Sequence, residues 1–274
     1  MKILSVFGTR PEAIKMAPVI RELQKHPDRV EPLVCVTAQH REMLDQVLGL
    51  FAIQPDIDLN LMEEDQSPAS LTARAMTALT EVLEQVRPDL VLVQGDTTTA
   101  MVAALAAFYQ KIPVGHIEAG LRTRNRYSPF PEEINRHLIG VLATYHFAPT
   151  PTAADALRAE GVPEEAIFVT GNTVIDALLW VVQQPPSAET QTLLKRFGLA
   201  DEPGSGAAEQ RIHSPQHPST SAPLLILVTA HRRENFGHPF EDICIALREI
   251  VRRNPDVQVV YPVHLNPNVR GPVH

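Results

Sequence analysis

The sequence predicts an α/β protein of two doubly wound parallel-sheet domains, the second incomplete. Apolar runs of strand length alternate with helical periodicity from the first residue onward, which is the pattern of parallel βα units. Twice a short apolar strand feeds a turn crowded with cations and a helix follows: at Gly8-Thr9-Arg10-Pro11, and at His231-Arg232-Arg233-Glu234 after Leu224 to Val228. Between the halves, Glu202 to Pro223 is rich in Pro, Ser, Gly and His and lacks periodicity, so it reads as a loop or insertion.

The strands of the first half are Ile3 to Phe7, Leu33 to Thr37, Leu90 to Gln94, Val114 to Ile117, Tyr145 to Ala148 and Ile167 to Thr170. Helical periodicity between them predicts Glu12 to Lys25, Arg41 to Phe51, Ala69 to Gln85, Thr98 to Gln110, Glu132 to Leu142 and Thr152 to Arg158. Pro11 falls where a first-turn proline is tolerated, and Pro88 and Pro113 punctuate helix ends. Residues 1–172 thus read as one complete Rossmann-like domain. Residues 173–223 read as a connecting helix, Val174 to Gln184, followed by the insertion. Gly204-Ser205-Gly206 carries no dinucleotide signal, because no strand precedes it and no third glycine follows. Residues 224–274 hold a strand (Leu224 to Val228), a helix (Phe240 to Arg253) and a strand (Gln258 to Tyr261). So small a piece buries too little surface to stand alone and leaves a strand edge unpaired, so the expectation is a chain truncated relative to the protein its pattern implies.

The 274 residues carry a formal net charge of −8 and a pI near 5.8, which argues against a general polyanion binder and against nucleic acid as a partner. Any phosphate site must be a local cationic pocket. The longest apolar stretches fall well short of the roughly 20 residues a bilayer span needs, and Met1-Lys2-Ile3 starts a strand rather than a signal peptide. No membrane association is expected, and the location read from this is cytoplasmic. Cys35 and Cys244 have no Cys-x-x-Cys spacing and read as small buried hydrophobes, so no zinc site follows.

Several residues sit where chemistry is expected. Asp96 follows its strand as Gly95-Asp96-Thr97-Thr98, at the carboxyl end where open α/β sheets bind ligands; it is also a good helix N-cap, and the two roles can coexist. Glu118 ends the next strand at the same rim, with a salt bridge to Arg122, Arg124 or Arg126 as its bland alternative. Glu132 and Glu133 open a helix, where first-turn carboxylates need no catalytic reason. Lys15 lies three residues from Glu12, so an intrahelical pair competes with a ligand role. His231, beside two arginines, reads either as a cap or as a hydrogen-bond donor to phosphate, and His116 and His264 read as structural.

At these residues a family resemblance emerges. Gly8-Thr9-Arg10-Pro11-Glu12-Ala13-Ile14-Lys15, Gln39-His40-Arg41, Gly95-Asp96-Thr97-Thr98, His116-Ile117-Glu118-Ala119-Gly120-Leu121-Arg122, Pro131-Glu132-Glu133, Thr170-Gly171-Asn172-Thr173 and His231-Arg232-Arg233-Glu234-Asn235 resemble, in order and spacing, the motif series of the non-hydrolysing UDP-N-acetylglucosamine 2-epimerases. The resemblance covers essentially the whole chain except Glu202 to Pro223. It implies a two-domain fold of the glycosyltransferase B type, a homodimer, and interconversion of UDP-N-acetylglucosamine with UDP-N-acetylmannosamine. By motif position, Asp96, Glu118 and Glu132 are the implied acid and base candidates, with His231 beside them in the catalytic set. Arg10, Lys15 and His231 are implied to hold the diphosphate. A second, regulatory substrate region is implied near Gln39 and His40, with Arg232 and His264 contributing. The chain departs from the family after His264-Leu265-Asn266-Pro267, where the resemblance implies a further segment that grips the nucleotide.

The chemistry narrows the route. The C2 proton is not next to a carbonyl while C1 is a glycosyl phosphate, so simple deprotonation is inaccessible. Transient oxidation by a nicotinamide would come with a glycine fingerprint after the first strand, where this chain has Arg10 and Pro11 instead. The remaining route eliminates UDP across C1 and C2 to give a 2-acetamidoglucal and then adds it back, which needs carboxylates and fixed positive charge but no cofactor and no metal. Rival readings are a hydrolysing relative that releases N-acetylmannosamine and UDP, a glycosyltransferase of the same architecture, and an inactive truncated remnant.

Overall fold

The computed structural model describes residues 1–37, 41–61, 67–198, 224–230, 237–263 and 267–273, and the chain divides into two units, Met1–Gln184 and Pro185–His274. The first unit is built on seven strands: β1 (Lys2–Phe7), β2 (Glu31–Val36), β3 (Ile57–Asp58), β4 (Leu90–Gln94), β5 (Val114–Ile117), β6 (Tyr145–Ala148) and β7 (Ile167–Val169). They run parallel in the order β3-β2-β1-β4-β5-β6-β7. The helices between them are α1 (Arg10–Gln24), α2 (Arg41–Phe51), α3 (Pro68–Val86), α4 (Thr98–Tyr109), α5 (Glu132–Leu142), α6 (Pro151–Ala159) and α7 (Thr173–Val182).

Alternation along each strand sends side chains to two cores. From β1, Ile3 and Phe7 join Met16, Ile20, Leu44, Phe51 and Ala177 under α1, α2 and α7. Leu4 and Val6 instead join Leu79, Val91, Val93, Ala103 and Ile139 under α3, α4 and α5. Burial of each such aliphatic side chain contributes roughly 1.5–3 kcal/mol, so both faces of the central strands are committed to packing. Helix α4 is apolar on nearly every side, and its alanines at 100, 103, 104, 106 and 107 are all buried where α3 and α5 contact it. Helix α7 packs on α1, where Trp180 lies 4.9 Å from the Phe51 ring and Arg21 sits 4.6 Å over the indole.

In the second unit, β8 (Leu224–Leu227) and β9 (Val257–Val260) pair in parallel across α9 (His238–Arg253), with α8 (Ala188–Arg196) before them and α10 (Pro267–Val273) after. Phe240, Val257 and Val269 are buried, but Leu224, Leu225 and Leu227 stay exposed. Among the described residues this is one βαβ crossover of a Rossmann-like domain rather than a complete sheet. Among the described residues no helix is long and apolar enough to cross a membrane.

Candidate active site

The strand order reverses between β1 and β4, and ligands of open parallel sheets bind beside such a switch, at the carboxyl ends of the strands. The turns after β1, β4 and β5 carry Gly8-Thr9, Gly95-Asp96-Thr97 and Glu118-Ala119-Gly120. The β1 turn is filled by the chain itself. Glu12, 1% exposed, accepts hydrogen bonds from the Gly8 and Thr9 N–H groups at 3.1 and 2.8 Å and from the Thr97 hydroxyl at 2.6 Å. Burial pushes the Glu12 carboxyl above its ordinary range, and the bonds from Thr97, Thr9 and Gly8 only partly counter this. Gly8 has no room for a side chain, since a Cβ would lie 2.1 Å from the Thr37 hydroxyl. The N–H groups that hold pyrophosphate in dinucleotide folds are therefore occupied here by a carboxylate. An anion at this turn would have to be met by side chains, and Arg10 stands exposed at the start of α1 with no ion-pair partner among the described residues.

Glu118 is held at the rim by three side chains. Lys15 approaches both its oxygens, at 2.7 and 2.6 Å; Gln94 donates to Oε2 at 2.6 Å, and Asn172 donates to Oε1 at 3.1 Å. Its backbone adopts the left-handed region at φ +65°, which costs a non-glycine residue roughly 1 kcal/mol or more. Neither bland alternative from the sequence is realised. Arg122 pairs with Glu160 rather than Glu118, and Lys15 pairs with Glu118 rather than Glu12.

Asp96 is clasped by the first turns of α5. Arg136 donates through Nε and a terminal nitrogen to Asp96 Oδ2 at 2.8 and 2.7 Å, and Asn135 donates to the Asp96 carbonyl at 2.9 Å. The other terminal nitrogen of Arg136 reaches Glu133 at 3.0 Å. Glu133, 1% exposed, also accepts the N–H groups of Thr123 and Arg124 and so pins the loop that leads into α5. Burial pushes the Glu133 carboxyl up, but the Thr123 and Arg124 N–H groups and the Arg136 guanidinium outweigh it, leaving the group below its ordinary range. Glu132 stands beside it, half-buried, with no hydrogen bond or ion pair among the described residues. The two carboxylates that open α5 thus differ in kind: Glu133 is structural, and Glu132 is uncommitted.

His116, on β5, has Nε2 2.7 Å from the Gly95 carbonyl. A carbonyl only accepts, so Nε2 carries the proton. Burial, the main cause, and the nearby charges of His146, Arg122 and Arg136 bring its pKa down to about 4, so the ring is neutral and fixes the turn that presents Asp96. Five sequence-predicted positions, Gln39, His40, His231, Arg232 and His264, lie outside the described residues. Of the remainder, Lys15 and Glu118 meet directly, and Asp96 is tied to the helix that carries Glu132. Sequence reasoning missed Gln94, Asn172, Asn135 and Arg136 as supporting groups. Asn172 and Arg136 stood within or beside recognised motifs, but only the topology shows which carboxylate each one reaches.

The family model described as UDP-N-acetylglucosamine 2-epimerase matches residues 21–274. A UDP-N-acetylglucosamine 2-epimerase of Salmonella typhimurium is 55% identical over 275 residues, which span all of this chain and 68% of the relative. Among solved structures, the UDP-GlcNAc 2-epimerase from Neisseria meningitidis bound to UDP-GlcNAc superposes with a TM-score of 0.80 at 50% identity, over all of this chain and 68% of that one. The lipopolysaccharide outer core galactosyltransferase WaaB, at 14% identity and a TM-score of 0.51 over 96% of this chain and 68% of its own, shares the fold alone, an architecture of the glycosyltransferase B type.

Proposed function

Since the chain belongs to the UDP-N-acetylglucosamine 2-epimerase family, we propose that it interconverts UDP-N-acetylglucosamine and UDP-N-acetylmannosamine by eliminating UDP across C1 and C2 and adding it back to the 2-acetamidoglucal. The supporting observation is the rim after β4 and β5, where Asp96 and Glu118 each face a fixed cation and Glu132 faces none among the described residues. Those are the residue types the route demands: carboxyl groups to take and return the C2 proton, and positive charge for the departing diphosphate.

Asp96, Glu118 and Glu132 share the proton transfers. Arg10 and Lys15 meet the diphosphate, and His231 is assigned to it by motif position. Lys15 serves both ends, because an ammonium has three donors and its contacts with Glu118 leave one for phosphate. Gln39, His40, Arg232 and His264 are assigned to a regulatory substrate site by motif position. The enzyme works in the cytoplasm as a homodimer, and the exposed apolar side chains of Phe108, Tyr109, Leu138 and Val141 on α4 and α5 offer a surface for the second copy. Incubation with UDP-N-acetylglucosamine followed by phosphorus and proton NMR tests the activity. UDP-N-acetylmannosamine approaching equilibrium with the substrate is the expected product, and free N-acetylmannosamine accumulating with UDP would reject the reading.

A further inference from the structure

The Thr170-Gly171-Asn172-Thr173 segment leads from β7 into α7. Asn172 is the N-cap of α7, where its Oδ1 accepts the Val174 N–H at 3.1 Å. A backbone N–H only donates, so this bond fixes which way the amide faces. Nδ2 is left to donate, and it meets Glu118 Oε1 at 3.1 Å. The same side chain therefore closes a helix end and holds a carboxylate 54 residues earlier in the chain. Glu118 needs such holding, because its left-handed backbone is costly and its Oε2 is drawn the other way by Gln94 at 2.6 Å. Without Asn172, only the flexible Lys15 ammonium engages Oε1 among the described residues.

On the epimerase reading above, we propose that Asn172 is a positioning residue for the reaction: its amide, oriented by the α7 cap, sets the place and angle of the Glu118 carboxylate. Lys15 supplies the charge, and Gln94 and Asn172 supply the direction. Asn172 touches neither sugar nor diphosphate in this role.

Two substitutions separate the cap from the positioning. Asn172→Ser and Asn172→Asp both keep an oxygen that caps α7, since Ser, Asp and Asn are comparable N-caps. Asp has no donor for Glu118 and adds a like charge facing it, and Ser has only a single hydroxyl on a shorter side chain in place of the amide N–H. Each variant of the full chain is measured for melting temperature and for kcat and KM of the epimerisation of UDP-N-acetylglucosamine, with Asn172→Ala as the variant that loses both roles. The expected result is a melting temperature within about 2 °C of wild type for Ser and Asp. Their kcat should fall about tenfold for Ser and about 100-fold for Asp, with KM within about threefold. Unchanged kcat in both, a loss confined to KM, or activity that falls only in step with melting temperature would overturn the positioning role and leave the epimerase reading intact. A wild-type chain that does not epimerise the substrate would overturn the reading and the role together.

Discussion

At the scale of single residues, the site depends on carboxyl groups whose surroundings differ sharply. Glu12 is buried with its folded pKa raised above 4.5, so the folded state binds that proton more tightly than the unfolded chain does. Its contribution to stability is therefore fully present below the unfolded value and is lost as pH rises through the folded one. Gln in its place can accept the Gly8 and Thr9 N–H groups and donate to Thr97 without a charge to bury. Urea titrations should thus show Glu12→Gln gaining on wild type at pH 7 and losing that advantage toward pH 4.5; a difference that does not change with pH would contradict the assignment. Arg136 is a second case. Its removal leaves the Asp96 carboxylate and the almost fully buried Glu133 without their shared cation, and Arg136→Met should cost about 3 kcal/mol by urea denaturation, with Arg136→Lys losing less. The sequence made Asp96, Glu118 and Lys15 legible, because each lies in a motif at a strand end. It could not show that Lys15 belongs to Glu118 or Arg136 to Asp96, since those partners are 103 and 40 residues apart and meet only through the sheet order.

At the scale of elements, the strands and long helices of the first unit were legible because apolar runs and helical periods are strong signals. Strand β3 was missed because two residues, Ile57 and Asp58, cannot establish a period. Helix α8 is short and strongly polar, and α10 holds a glycine and two prolines, so neither stands out as a helix in the sequence. The turn from β5 toward α5 is tightly constrained as well. Gly120 has φ +86°, and a Cβ there would lie 2.2 Å from the Ala153 carbonyl oxygen, a backbone atom that cannot step aside without moving α6. Gly120→Ala should therefore cost at least about 2 kcal/mol, read as a drop in the urea midpoint, and a midpoint within error of wild type would refute the packing described.

At the scale of the whole molecule, the first unit holds its own cores. The residues that form the three buried clusters all lie between Ile3 and Ala177, within Met1–Gln184. Residues 1–184 expressed alone should therefore unfold in one cooperative transition by circular dichroism, and a broad, non-cooperative melt would contradict that independence. Among the described residues of the second unit, by contrast, few side chains are buried and the leucines of β8 are exposed, so its strands were readable as a pattern while its packing was not. The chemistry ascribed to the chain requires the C2 proton to leave the sugar and be replaced from solvent. The most direct test is to incubate the protein with UDP-N-acetylglucosamine in heavy water and read C2 by proton NMR. Elimination and readdition predict UDP-N-acetylmannosamine carrying deuterium at C2, and manno product that retains its original C2 proton would contradict the mechanism.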